Sequence, residues 1–124
     1  MKKVLFIDDD KYIVSLYLDI FGSAADIYFK VARDGTEGFV TTKNWRPDLV
    51  LLDILLPRLE GLGYLQKIRE TEDLAKTPVI VVSNVDDADH IAKAEALGIE
   101  DYWVKSDVPP AMVLEKVRKV LAGL

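Results

Sequence analysis

Three consecutive carboxylates, Asp8-Asp9-Asp10, follow directly on a short apolar run, and Asp53, Ser83 and Lys105 each close another short run further along the chain. Carboxylates crowded together repel one another and raise each other's pKa, and a hard divalent cation relieves that repulsion. Mg²⁺ suits such a cluster: it is held by one or two carboxylates, keeps several waters and leaves room for phosphate oxygens. A lysine ammonium and a serine hydroxyl beside the cation complete a set that matches a phosphoryl group, whose oxygens carry the charge during transfer. The chain has no cysteine and a single histidine, His90. Thiol catalysis, cysteine–histidine nucleophiles and multi-histidine metal sites are therefore excluded, and no serine–histidine pair stands out as a nucleophile. An aspartate can itself be the nucleophile, by becoming an aspartyl phosphate.

The elements that must position these groups are legible in the apolar pattern. Val4–Ile7, Leu49–Leu52 and Val79–Val82 are continuous apolar runs, too short for helices, as expected of strands covered on both faces. Asp26–Ala32, with Lys30 on one face, and Asp101–Lys105, polar at both ends, fit edge strands. Between them lie helical patterns. Ile13, Leu16, Tyr17, Ile20 and Phe21 fall on one face, with Gly22 as a C-cap. Thr36–Trp45, the segment marked by Leu62, Leu65 and Ile68, and Asp86–Leu97 closed by Gly98 come next. The last is the stripe Val113, Leu114, Val117, Val120 and Leu121, opened by Pro109-Pro110. Five strand–helix units predict an α/β fold: a five-stranded parallel sheet with helices on both faces. Right-handed crossovers favour the order 2-1-3-4-5, the doubly wound, flavodoxin-like arrangement. All strands then end on one rim, and ligands bind there between strands 1 and 3, where the strand order reverses. Asp53 faces Asp8 and Asp9 across that point and is the central candidate for the nucleophile.

The acidic pair Asp8-Asp9, the segment Asp48-Leu49-Val50-Leu51-Leu52-Asp53-Ile54-Leu55-Leu56-Pro57-Arg58-Leu59-Glu60-Gly61, Ser83, and Tyr102-Trp103-Val104-Lys105 stand in a specific order and spacing. Together they resemble the receiver domain of bacterial two-component response regulators, of the chemotaxis-regulator type, over essentially all 124 residues. The resemblance implies one receiver domain over residues 1–124, a signalling switch that catalyses only its own phosphorylation and dephosphorylation. It implies that Asp53 accepts a phosphoryl group from a phosphohistidine on a sensor histidine kinase or a histidine phosphotransfer protein. Asp9 and Asp53 would bind Mg²⁺ directly, Asp8 through water, and the backbone carbonyl of Leu55 would complete the protein ligands. Lys105 would pair with the phosphoryl oxygens. Ser83 would swing toward them, Tyr102 would turn inward behind it, and the face of the fourth helix, fifth strand and last helix would be remodelled for a downstream protein effector. Phosphorylation-dependent homodimers through that face are a further implication.

Two positions depart from the family pattern. Ser106 follows Lys105 where proline is usual, and Asn84 follows Ser83 where a small residue is usual. Leu55 and Val85, beside the pocket, are apolar and cannot position an attacking water, so slow loss of the phosphoryl group is expected. Plainer roles are expected elsewhere. Asp10 fits a helix N-cap, and Asp86, Asp87 and Asp89 fit a helix N-terminus. His90 fits a solvated position, Trp45 a helix-end packing position, and Trp103 a packing position or partner surface.

Two other functions compete with the receiver reading. Asp8-Asp9-Asp10 superficially resembles the Asp-x-Asp of haloacid-dehalogenase-type phosphohydrolases, in which Asp8 would be the nucleophile. Against it, Tyr12 stands where that family has threonine, and the chain leaves little room for a cap. A receiver-like scaffold that works without phosphorylation is the other, opposed by the complete set of acid, hydroxyl and lysine. Composition is that of an ordered globular chain, 50% hydrophobic and 30% charged. The net charge of −5 argues against a nucleic-acid surface. No apolar run approaches the ~18 residues of a membrane span, and a cytoplasmic protein is expected.

Overall fold

A computed structural model describes all residues, Met1–Leu124. Its elements alternate as the sequence predicts. They are β1 (Lys2–Ile7), α1 (Lys11–Gly22), β2 (Ile27–Ala32), α2 (Gly35–Trp45), β3 (Leu49–Leu52), α3 (Gly61–Glu70), β4 (Val79–Ser83), α4 (Ala88–Ala96), β5 (Asp101–Val104) and α5 (Pro110–Gly123). The sheet is wholly parallel, in the order β2-β1-β3-β4-β5.

Alternation along each central strand divides the core in two, because successive side chains point to opposite faces. Val4, Phe6, Leu49, Leu51, Ile80 and Val82 pack with α1 and α5. Leu5, Ile7, Val50, Leu52, Val79 and Val81 pack on the opposite face with α3 and Ala94 of α4. Each fully buried aliphatic side chain contributes about 1.5–3 kcal/mol, so strands flanked on both faces are the most strongly fixed. Rings extend the first half: Phe6 stacks on Tyr17 and Phe21 on Phe29, both at 4.4 Å between centroids.

Three helix starts are set by aspartate carboxylates. Asp10 caps α1, accepting from the Tyr12 and Ile13 N–H groups, and Asp34 caps α2 through the Glu37 N–H. At α4 the boundary differs from expectation. Asp87 is the N-cap and accepts from the His90 N–H, so Asp86 lies before the helix rather than in it. A short carboxylate at that position satisfies an otherwise unpaired helix N–H, which makes it a start signal rather than a member. Gly22 is the last residue of α1, with Ser23 as the cap. Lys105 does not end β5: it opens a single 3₁₀ turn over Lys105–Asp107.

The β3–α3 loop needs a glycine where it closes. The Gly61 N–H donates to the Ile54 carbonyl at 2.8 Å, and a Cβ there would lie 2.3 Å from the Asp53 carbonyl oxygen. Gly22 has nothing within 4 Å of the same atom. Gly61→Ala is expected to lower stability by about 1–3 kcal/mol through overpacking. Gly22→Ala is expected to raise it by about 0.4–1 kcal/mol through the unfolded chain. Urea unfolding of the two variants checks both signs.

Candidate functional site

Because the strands are parallel, β1, β3, β4 and β5 deliver their C-terminal residues to one rim. Asp8, directly after β1, is fully buried, and its N–H donates to the Ala32 carbonyl at 3.1 Å. Asp53, directly after β3, is buried, and its N–H donates to the Ile7 carbonyl at 3.0 Å. Ser83 ends β4 and is fully buried, and Lys105 follows β5. Backbone pairing of the sheet therefore sets the spacing of the two acids before their side chains meet anything.

Lys105 Nζ bridges them, at 2.6 Å from Asp8 Oδ2 and 3.0 Å from Asp53 Oδ2. The second oxygen of each carboxylate is also taken. Asp8 Oδ1 accepts from the Asp10 N–H at 2.9 Å. Asp53 Oδ1 accepts from the Ser83 hydroxyl at 2.8 Å and the Leu55 N–H at 3.3 Å. Burial pushes the Asp8 carboxyl above its ordinary value, against the pull of Lys105 and the Asp10 N–H. Burial also pulls the Lys105 ammonium down, but its two carboxylate partners outweigh this and hold it above its usual range.

Asp9 is exposed, and its carboxylate comes within 4.8 Å of those of Asp8 and Asp53. Three hard oxygen donors converge with one side open to water, and a single ammonium balances them only in part. That donor set fits a small divalent cation such as Mg²⁺. The expected site residues Asp8, Asp9, Asp53, Ser83 and Lys105 thus lie on one rim. Leu55 lies on the same rim, 62% exposed and with its backbone N–H bonded to Asp53.

Tyr102 makes no hydrogen bond to Asp53. Its hydroxyl donates to the Val85 carbonyl, and the Val85 N–H donates to Ser83 Oγ at 3.2 Å. Two hydrogen bonds to the backbone of Val85, one through its N–H and one through its carbonyl, therefore join Ser83, which is bonded to Asp53, to Tyr102. The backbone of Val85 is the part that residue types do not reveal, because a peptide group has no sequence signature. His90 is half-exposed, as expected of a solvated position, and its Nδ1 lies 2.7 Å from Asp87 Oδ1. Trp103 is buried and its indole N–H donates to Asp101 Oδ2, a packing role as expected.

Replacing Lys105 tests the balance of this cluster. Lys105→Met leaves two buried carboxylates without their cation, and removing one partner of a buried pair costs about 3–5 kcal/mol. The cost is expected in full at neutral pH and to shrink as pH falls toward 3.8, the ordinary carboxylate value, because a protonated Asp8 needs no counter-charge. Denaturant midpoints of wild type and variant at the two pH values check this.

Comparison with known proteins places this geometry. A family model described as the response regulator receiver domain matches residues 4–118. The Regulator of RpoS from Escherichia coli K12 is 34% identical over 120 residues, covering 97% of this chain and 34% of that protein. The chain thus spans about a third of the length of that curated relative. A CheY-like receiver domain protein from Methanospirillum hungatei has a crystal structure that matches with a TM-score of 0.88 at 26% identity. The match covers 99% of this chain and 95% of that one. The BeF3-activated N-terminal receiver domain of RstA from Klebsiella pneumoniae matches with a TM-score of 0.81 at 27% identity, covering 96% and 97%.

Proposed function

The chain belongs to the response regulator receiver family, and on that premise we propose that Asp53 is its phosphoacceptor. The observation that carries this is the double engagement of one buried carboxylate, Lys105 on one oxygen and Ser83 on the other. Asp8 shares the Lys105 bridge but is fully buried and has no hydroxyl beside it as Asp53 has Ser83. This disfavours a phosphohydrolase acting through Asp8.

In the proposed step an Asp53 oxygen attacks the phosphorus of a phosphohistidine. The P–O bond forms, the P–N bond breaks, and the imidazole leaves on the kinase or phosphotransfer protein. Asp9, Asp53, the Leu55 carbonyl and, through water, Asp8 would hold Mg²⁺, which supplies charge neutralisation at the phosphoryl oxygens when bound. Lys105 turns from the Asp53 carboxylate to a phosphoryl oxygen, and the Ser83 hydroxyl does the same from the other side. Ser83 cannot move without disturbing the Val85 N–H bonded to it, and Tyr102 holds the carbonyl of the same residue. The change therefore reaches the face of α4, β5 and α5, where a downstream effector or a second copy would bind. No helix is long and apolar enough to cross a membrane. The cytoplasmic setting of the proposed switch rests on its proposed phosphohistidine donor.

Intact mass after incubation with acetyl phosphate and Mg²⁺ tests this. Wild type is expected to gain one phosphoryl group and Asp53→Asn none. Labelling that survives in the variant would move the nucleophile elsewhere, with Asp8 next. The label is expected to decay slowly after removal of the donor, because neither Leu55 nor Val85 can orient water. A half-life of seconds would contradict that part.

A further inference from the structure

We propose that the open edge of β2 is a docking site for an acidic, extended protein segment, which adds there as a sixth strand. β2 pairs only with β1. In a parallel ladder alternate residues turn their N–H and C=O toward the neighbour. The Lys2 and Asp8 N–H groups bond to the carbonyls of Asp26 and Ala32, which assigns the even-numbered residues of β2 to β1. The backbone groups of Phe29 and Val31 therefore face the free edge, and no loop backbone takes them up.

Next to this edge, at the end of the sheet where the strands begin, is a cavity of about 350 Å³ lined by Lys3, Tyr28, Phe29, Lys30 and Trp45. Tyr28 is 56% exposed. Two ammonium groups crowd one indole: Lys30 Nζ is 4.9 Å and Lys3 Nζ 5.7 Å from the Trp45 ring centroid. Lys3 also donates to the Trp45 carbonyl at 2.8 Å. Neither ammonium is ion-paired, in a chain whose net charge is −5. An anion placed between them is attracted to both and relieves their mutual repulsion.

Charge also selects the occupant. Pairing of two copies along this edge would bring Lys30 toward Lys30, and edge lysines are a known guard against such pairing. An acidic strand reverses the sign. Strand side chains alternate between faces, so its carboxylates would lie on the side of Lys30 and Trp45 and its apolar residues on the side of Phe29 and Val31. The site thus selects a segment in which acidic and apolar residues alternate, and it lies away from the rim that holds Asp53.

The test uses the full chain and a synthetic peptide of alternating glutamate and valine, with a backbone N-methylated version of the same peptide. The plain peptide is expected to slow amide exchange at Phe29 and Val31 at least about tenfold, and N-methylation to remove binding. Lys30→Glu is expected to weaken binding at least about tenfold while its labelling by acetyl phosphate matches wild type, which shows that the variant is folded. Equal binding of the two peptides would overturn strand addition. So would unchanged exchange at Phe29 and Val31, an unaffected Lys30→Glu variant, or a concentration-dependent dimer through this edge.

Discussion

One buried ion group sets the terms for the rest of this molecule: the Lys105 ammonium held between Asp8 and Asp53. Ions taken out of water are costly unless their partners are well placed. Here the placement is made by the sheet. Asp8 and Asp53 follow adjacent strands β1 and β3, whose backbone pairing is fixed by side chains fully buried on both faces. Lys105 reaches them from beyond β5 on a four-carbon stem that tolerates the larger distance. The N-cap at Asp10 and the glycine at position 61 serve the same end, since each fixes a loop that carries one of the acids.

The charge balance of that group is incomplete, and this makes it responsive. Two buried carboxylates and the exposed Asp9 outnumber one ammonium, so the site favours added positive charge. An added phosphoryl group would in turn redirect Lys105 and Ser83. The reach of that change depends on how firmly each neighbouring element is held. Helix α4 buries only Ala94. Arg69 fixes its far end, donating to the carbonyls of Leu97 at 2.8 Å and Gly98 at 2.7 Å. Its near end is joined to the loop in which Val85 is bonded to both Ser83 and Tyr102. An element with few buried contacts and one tethered end is drawn from the low-stability part of a fold, where motion costs least.

Most of the fold and the site was legible in the sequence because it rests on burial. Continuous apolar runs identify β1, β3 and β4, and the residue that ends each run gives Asp8, Asp53 and Ser83 directly. The parallel topology then brings them together without any knowledge of side-chain contacts. Legibility failed where the cause is a local hydrogen bond. Asp86 reads as the start of a helix as well as Asp87 does, and only the bond from the His90 N–H separates them. Lys105 reads as the end of a strand, whereas the chain turns into 3₁₀ geometry at that residue. The link from Ser83 to Tyr102 runs through the backbone N–H and carbonyl of Val85 and so leaves no trace in residue type. Tyr28, Lys30 and Trp45 read as an edge strand and a helix-end packing residue. Their joint environment comes only from the folded position of α2 against β2.

Central to the proposed mechanism is a coupling by which a charge change at Asp53 would reach Tyr102 through Ser83 and Val85. The most direct measurement is a titration with beryllofluoride and Mg²⁺, monitored through the amide resonances of Leu55, Val85 and Tyr102 in wild type and in Ser83→Ala. The expected result is that all three move with one midpoint in wild type, while in Ser83→Ala Leu55 responds and Tyr102 stays in place. A Tyr102 resonance that never moves in wild type, or that moves equally in Ser83→Ala, would contradict the coupling.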